Sequence, residues 1–163
     1  MHILVSDTSI LIDIERAGLE DVLLRIGHTW VVPDALYAAE LETWTGPRWK
    51  QRGLQVLELT PEEAQFAQER FQQNRSVSLN DCFALALARK RQLTLLTGDG
   101  ALRKLATEEA VECHGFLWLI RVAAESGADV VQLEEGILRL LNHIRCRLPR
   151  PATEALLKEL REK

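Results

Sequence analysis

Four acidic residues stand where a carboxylate is conspicuous. Asp7 closes the apolar run that begins at Ile3, in "ILVSDTSIL". Asp99 stands just past a second short apolar run, Leu93 to Leu96, across Thr97 and Gly98. Asp81 opens the helix-like stretch "SLNDCFALALARKR", whose apolar residues run nearly all round and so mark a buried helix. Glu40, in "VVPDALYAAELET", shares one stripe with Pro33, Leu36 and Tyr37 by the 3, 4, 7 spacing. That stripe makes Glu40 the expected buried-edge acid. Glu42 points the other way, with Ala35, Ala38 and Ala39, and is the fallback. Ordinary structural roles are open to these acids too. Asp99, in a Gly-Asp-Gly turn, suits a helix N-cap. Ser78 and Asp81 have the spacing of a capping box. A first-turn acid can cap a helix and still present an oxygen to a cation.

Gathered in one place, such acids make a specific chemistry. Two unit charges about 4 Å apart repel by roughly 4 kcal/mol at an effective dielectric of 20. The cluster therefore needs protons or a divalent cation. Oxygen-only ligands suit Mg²⁺ or Mn²⁺. No histidine lies among them, and His2, His28, His114 and His143 are scattered, so a zinc site is not expected. A carboxylate-held divalent ion acts on phosphate esters, because it binds the phosphoryl oxygen, lowers the pKa of water and stabilises the leaving oxygen. The Asp7-Thr8-Ser9 opening has no second aspartate two residues on, which argues against a phosphatase-type phosphoryl transfer.

The elements that must position these acids alternate. Strands are expected at 2–6, 29–32, 54–59, 93–96 and, weakly, 111–113. Helices are expected to begin at Thr8, Gly18, Pro33, Pro61, Ser78, Gly100, Gly115, Val131 and Pro151. Pro33, Pro61 and Pro151 sit where a first helical turn tolerates proline. Alternation of this kind implies a parallel sheet covered on both faces, with ligands at the carboxyl ends of its strands. Asp7 and Asp99 stand at two such ends. The stretch "TWTGPRWKQRG", residues 43–53, reads as an irregular loop that carries Trp44 and Trp49 beside Arg48, Lys50 and Arg52. From Gly115 onward only helices are expected, as a packing layer, a dimer surface or a substrate wall.

The 163 residues argue for one domain, with a core to about 114 and a helical extension over 115–163. A chain this long buries roughly 70% of its unfolded surface and needs no disulfide or structural metal. The cysteines, Cys82, Cys113 and Cys146, are odd in number and widely spaced, which suits a reducing cytoplasm. The N-terminus has no signal-peptide character, and no apolar run nears the ~20 residues of a membrane helix. A net charge of −4 argues against a generic nucleic-acid coat. It leaves room for an acidic centre with basic margins, and the basic residues do cluster. Between Gly136 and Thr153, Arg139, Arg145, Arg147 and Arg150 occur with no acid among them. Arg103 and Lys104 follow Asp99 closely enough to meet a substrate phosphate.

The ordered set "LVSDTSILI", "VPDALYAAEL", "SLNDCFALALA" and "LLTGDGALRKLA" resembles the PIN-domain nucleases, in particular the small VapC-like toxin ribonucleases. The resemblance covers about residues 1–113. It implies a Rossmann-like α/β/α sandwich and Mg²⁺- or Mn²⁺-dependent cleavage of RNA. It implies that Asp7, Glu40, Asp81 and Asp99 form the catalytic and metal site, with Ser9 supporting the first aspartate. Glu40 would be a ligand or would orient the attacking water. Arg48, Lys50, Arg103 and Lys104 are the expected substrate-binding cations. An antitoxin protein and a second copy of the chain are the partners the resemblance suggests. The competing reading is a catalytically silent PIN-like module that binds RNA or protein.

Overall fold

The computed structural model describes residues 2–163. Among them, five short strands form one parallel sheet: β1 (Ile3–Ser6), β2 (Thr29–Pro33), β3 (Gln55–Leu57), β4 (Thr94–Leu96) and β5 (Cys113–His114). The order is β3-β2-β1-β4-β5, with Val5 beside Val31 on one side and Leu95 on the other. The chain steps from β1 outward to β3, then returns to place β4 on the opposite flank of β1. The switch point of this doubly wound sheet therefore lies between β1 and β4, the place where such sheets bind ligands.

The helices are α1 (Thr8–Ala17), α2 (Glu20–Leu24), α3 (Asp34–Leu36) continued by a π-helical turn (Tyr37–Leu41), α4 (Gly46–Gln51), α5 (Pro61–Gln73), α6 (Leu79–Arg91) and α7 (Gly100–Glu108). The last third adds α8 (Phe116–Glu125), α9 (Val130–Leu141) and α10 (Arg150–Arg161). Right-handed crossovers that run in opposite directions put α1 and α6 on opposite faces of the sheet. α6 lies across β1, β2 and β4, while α1 packs against α8 and α9. The result is the expected α/β/α sandwich.

Local chemistry explains the boundaries. Thr60 and Glu63 form a full capping box at the start of α5, and Ser78 and Asp81 form another at α6. Gly18 ends α1 in the left-handed region at φ 67°, where a glycine carries no Cβ penalty. The last three helices are seated on this layer. Arg139 donates to the Ala17 carbonyl at 3.0 Å, and a Cβ on Gly136 would lie 2.5 Å from Leu19 Cδ1, so α9 passes close to the start of α2. α10 closes over α8 and α9 with Leu156, Leu157 and Leu160 buried. Of the three roles open to the tail, packing layer is the first that the fold fills.

Three expectations need correction. The stretch at 43–53 is not irregular: α4 occupies its centre. Trp49 is buried there and its indole N–H donates to Glu15 Oε1 at 2.6 Å, a tertiary anchor for a helix too short to stand alone. The strand expected over 54–59 is only Gln55–Leu57, and the weak one at 111–113 lies at Cys113–His114.

Candidate active site

Asp7 follows β1 directly and caps α1. Its Oδ1 accepts the Ser9 hydroxyl at 2.7 Å and the Ile10 N–H at 3.1 Å. Its Oδ2 accepts the Thr97 hydroxyl from the end of β4. The residue is only 1% exposed. Burial pushes its pKa up to about 6 against the pull of those donors, and the Asp81 charge adds to the rise. Ser9 also ties the two strand ends together, because its Oγ accepts the Gly98 N–H at 3.1 Å. Thr97 Oγ1 accepts the Asp99 N–H at 3.0 Å. One hydroxyl thus touches both strand-end aspartates. Asp99 caps α7, with Oδ1 accepting the Ala101 N–H at 2.8 Å.

Asp81 arrives from α6. Its N–H donates to Ser78 Oγ at 3.0 Å, and its Oδ2 accepts the Ser78 N–H at 3.4 Å. Burial raises its pKa and the nearby Asp99 charge adds to the rise, while the Ser78 hydrogen bonds and, less strongly, Arg147 oppose it. Asp81 also contributes to the raised values of Asp7 and Glu40, so it is the acid through which the other three are electrostatically linked. The structure therefore brings Asp7, Asp99 and Glu40 each within the field of Asp81. Each aspartate is also a helix cap.

Glu40 does not occupy the buried-edge position expected for it. It is exposed at the rim, and the buried side chains here are Leu36, Tyr37 and Leu41. The cause is the π-helical turn, in which the Glu42 N–H donates to the Tyr37 carbonyl at 2.8 Å. An i→i+5 turn rotates later residues away from the 3.6-residue stripe, and such turns recur at functional sites. Glu40 nevertheless leans toward the acids. Crowding by the protein raises its pKa, partly offset by the Thr8 and Asn80 side chains.

Three features of the site bear on a divalent ion. The donors are carboxylates and hydroxyls, suited to a hard cation. Thr8 Oγ1 is buried beside Asp7 and leans on Glu40, so a hydroxyl joins the carboxylates at the site. Among the described residues, however, no three His, Cys, Asp or Glu side chains close into a metal cage. Mg²⁺ does not need one, since it keeps several waters and takes one or two carboxylates plus substrate phosphate oxygens. The residues fit an ion shared with water and phosphate, not one enclosed by protein.

The expected cations separate. Arg103 stays close, donating to the Thr97 carbonyl at 3.2 Å. Lys104 turns to a hollow formed with Asn74 and Ser76. Arg48 and Lys50 lie on α4, where Lys50 Nζ sits 4.6 Å from the Tyr37 ring centroid. Trp44 is 54% exposed. Thr97, Thr8, Asn80 and Asp13 also stand around the site, and Arg147 joins them from the basic cluster of the tail. Asp13 follows Ser9 by one helical turn, a spacing that could have flagged it; burial raises its pKa and Arg147 opposes the rise. Arg147 is marked in the sequence only as one of a basic cluster, and the return of the segment after α9 brings it beside Gly98 and Gly100.

Comparisons with known proteins agree with this architecture. A family model described as "DUF3368: PIN domain" matches residues 3–162. A solved structure of a PilT N-terminus domain protein from the hyperthermophilic archaeon Sulfolobus solfataricus P2 aligns with a TM-score of 0.50. It is 12% identical, and the alignment covers 77% of this chain and 93% of that one, which is a likeness of fold. No curated protein sequence matches. With the match running nearly end to end, the chain belongs to the PIN-domain family.

Proposed function

We propose that the protein is a metal-dependent endoribonuclease whose Asp7, Asp81, Asp99 and Glu40 hold Mg²⁺ or Mn²⁺ and position water, and that it acts as a toxin restrained by a cognate antitoxin. The observation that carries the enzymatic reading is a buried carboxylate, Asp7, at the switch point of the sheet in the field of Asp81 from α6. When bound, the ion supplies charge neutralisation and a more acidic water. Asp7, fixed by Ser9 and Thr97, has its oxygens oriented in advance, so little reorganisation accompanies reaction. Asp99 keeps Oδ2 free of hydrogen bonds among the described residues while Oδ1 caps α7. Glu40, at the solvent rim with a raised pKa, is placed to orient a water and take its proton. Arg103 meets the phosphate. Exposed Trp44 is the surface group on which a homodimer contact would rest, and the mass in solution measures that.

The test is cleavage of single-stranded RNA with and without Mg²⁺ or Mn²⁺. We expect metal-dependent cleavage that falls by at least ~100-fold in Asp99→Asn with the fold intact, and growth arrest on expression of the wild type only. Equal cleavage by wild type and Asp99→Asn contradicts the assignment. One observation favours the silent-module reading instead: both Asp7 oxygens are already engaged by protein donors. That reading predicts no saturable heat on titration with Mn²⁺, where the nuclease reading predicts binding.

A further inference from the structure

Next to the acids lies a cavity of about 370 Å³, within the size range of small-ligand sites. Gly98 and Gly100, which flank Asp99, form part of its wall, so the cavity and the acidic site share one loop. Asp13 stands at the same border. Across from them are His114 and Trp118, whose rings stack with centroids 4.3 Å apart and planes 6° from parallel. The pair is held in place: His114 Nε2 lies 3.0 Å from Glu112 Oε1, and Glu112 also accepts the Thr94 hydroxyl at 3.1 Å. Two guanidinium groups line the same space. Arg103 is anchored on the Thr97 carbonyl and passes over Gly115, where a Cβ would lie 2.6 Å from its Nη2. Arg147, in the segment between α9 and α10, is exposed and makes no ion pair or side-chain hydrogen bond of its own among the described residues.

An aromatic pair and two cations are the two halves of nucleotide recognition: a planar face for a base and guanidinium groups for a phosphate. Arg147 stands in the field of Asp13 and Asp81 yet is pinned by no hydrogen bond among the described residues, so its guanidinium can turn to a phosphate. We propose that this cavity is a nucleotide subsite for a single-stranded substrate, with the base against His114 and Trp118 and its phosphate on Arg103 and Arg147. It lies one step along the strand from the acids and so selects the bond presented to them. This gives the C-terminal segment the substrate-wall role as well as its packing role. The choice of bond rests on the nuclease reading above; the binding itself does not.

The experiment measures binding of a short, fluorescently labelled single-stranded RNA by anisotropy in EDTA, where no metal-dependent cleavage proceeds, over a series of salt concentrations. Arg147→Ala lies in an exposed coil segment and leaves the fold intact. It is expected to weaken binding several-fold and to reduce the salt slope by about 1. Trp118→Leu is expected to weaken binding on the order of tenfold with the salt slope unchanged. Wild-type affinity and slope in both variants overturn the subsite, as does the absence of saturable binding by wild type. If wild type cleaves RNA and neither variant alters binding, the subsite fails and the nuclease stands. If wild type cleaves nothing but the two variants divide as stated, the subsite stands and the nuclease fails.

Discussion

Asp7 is stabilised by three donors and still titrates near 6, because burial outweighs them. Its ordinary value is 3.8, so the folded protein holds this proton more tightly than the unfolded chain does. The stability gained is full below 3.8 and is lost as pH rises through about 6. A shift of about two units corresponds to roughly 3 kcal/mol. Metal-free wild type is therefore expected to lose stability between pH 4 and 7, and Asp7→Asn to lose much less, so that the variant melts higher at pH 7.5. Denaturant unfolding across that pH range measures both; parallel pH profiles contradict the account of Asp7. At this scale the sequence was informative where chemistry was local. Asp7, Asp81 and Asp99 each sit beside the backbone groups they cap, and strand-end or capping-box spacing betrays them. Thr97 reads as one more turn residue, because its two partners, Asp7 and the Asp99 amide, come together only when β1 and β4 pair.

The π-helical turn sets where Glu40 stands, and α4 keeps that turn in place. Gly46 lies directly against it: a Cβ there would come 2.6 Å from the Leu41 carbonyl oxygen and 2.6 Å from the Tyr37 ring. Backbone cannot yield as a flexible side chain can, so Gly46→Ala must shift α4 or unwind the turn. We expect a loss of about 1–3 kcal/mol together with weaker Mn²⁺ binding, measured by thermal unfolding and calorimetry on the same sample. Unchanged stability and affinity contradict the tie between this glycine and the acid. The helix stripe drawn through Pro33, Leu36, Tyr37 and Glu40 failed here because it assumed 3.6 residues per turn throughout. The 43–53 stretch was misread for a related reason: α4 is held by Trp49 on Glu15, a contact 34 positions away that no local pattern contains. By contrast, α5, α6 and α7 were legible from their caps and apolar periods, since those signals are local.

Across the whole molecule, the parallel sheet was legible from alternating strands and helices, but its order was not. The order matters because it puts β1 and β4 side by side and makes their carboxyl ends a single place. The segment after α9 returns to the same place, so that Arg147 lies in the field of Asp13 and Asp81. With a net charge of −4, the protein draws phosphate to its acids only where such cations and a bound ion offset them. The function therefore depends on geometry: side chains from separate segments, Asp7, Asp81 and Asp99 foremost, must gather round one divalent ion, one or two binding it directly and the rest through water. Anomalous diffraction from a crystal soaked in Mn²⁺ measures this directly. The account predicts one strong peak bounded by those three carboxylates, lost in Asp81→Asn; no peak there in well-ordered wild-type crystals, or one only at distant surface acids, contradicts it.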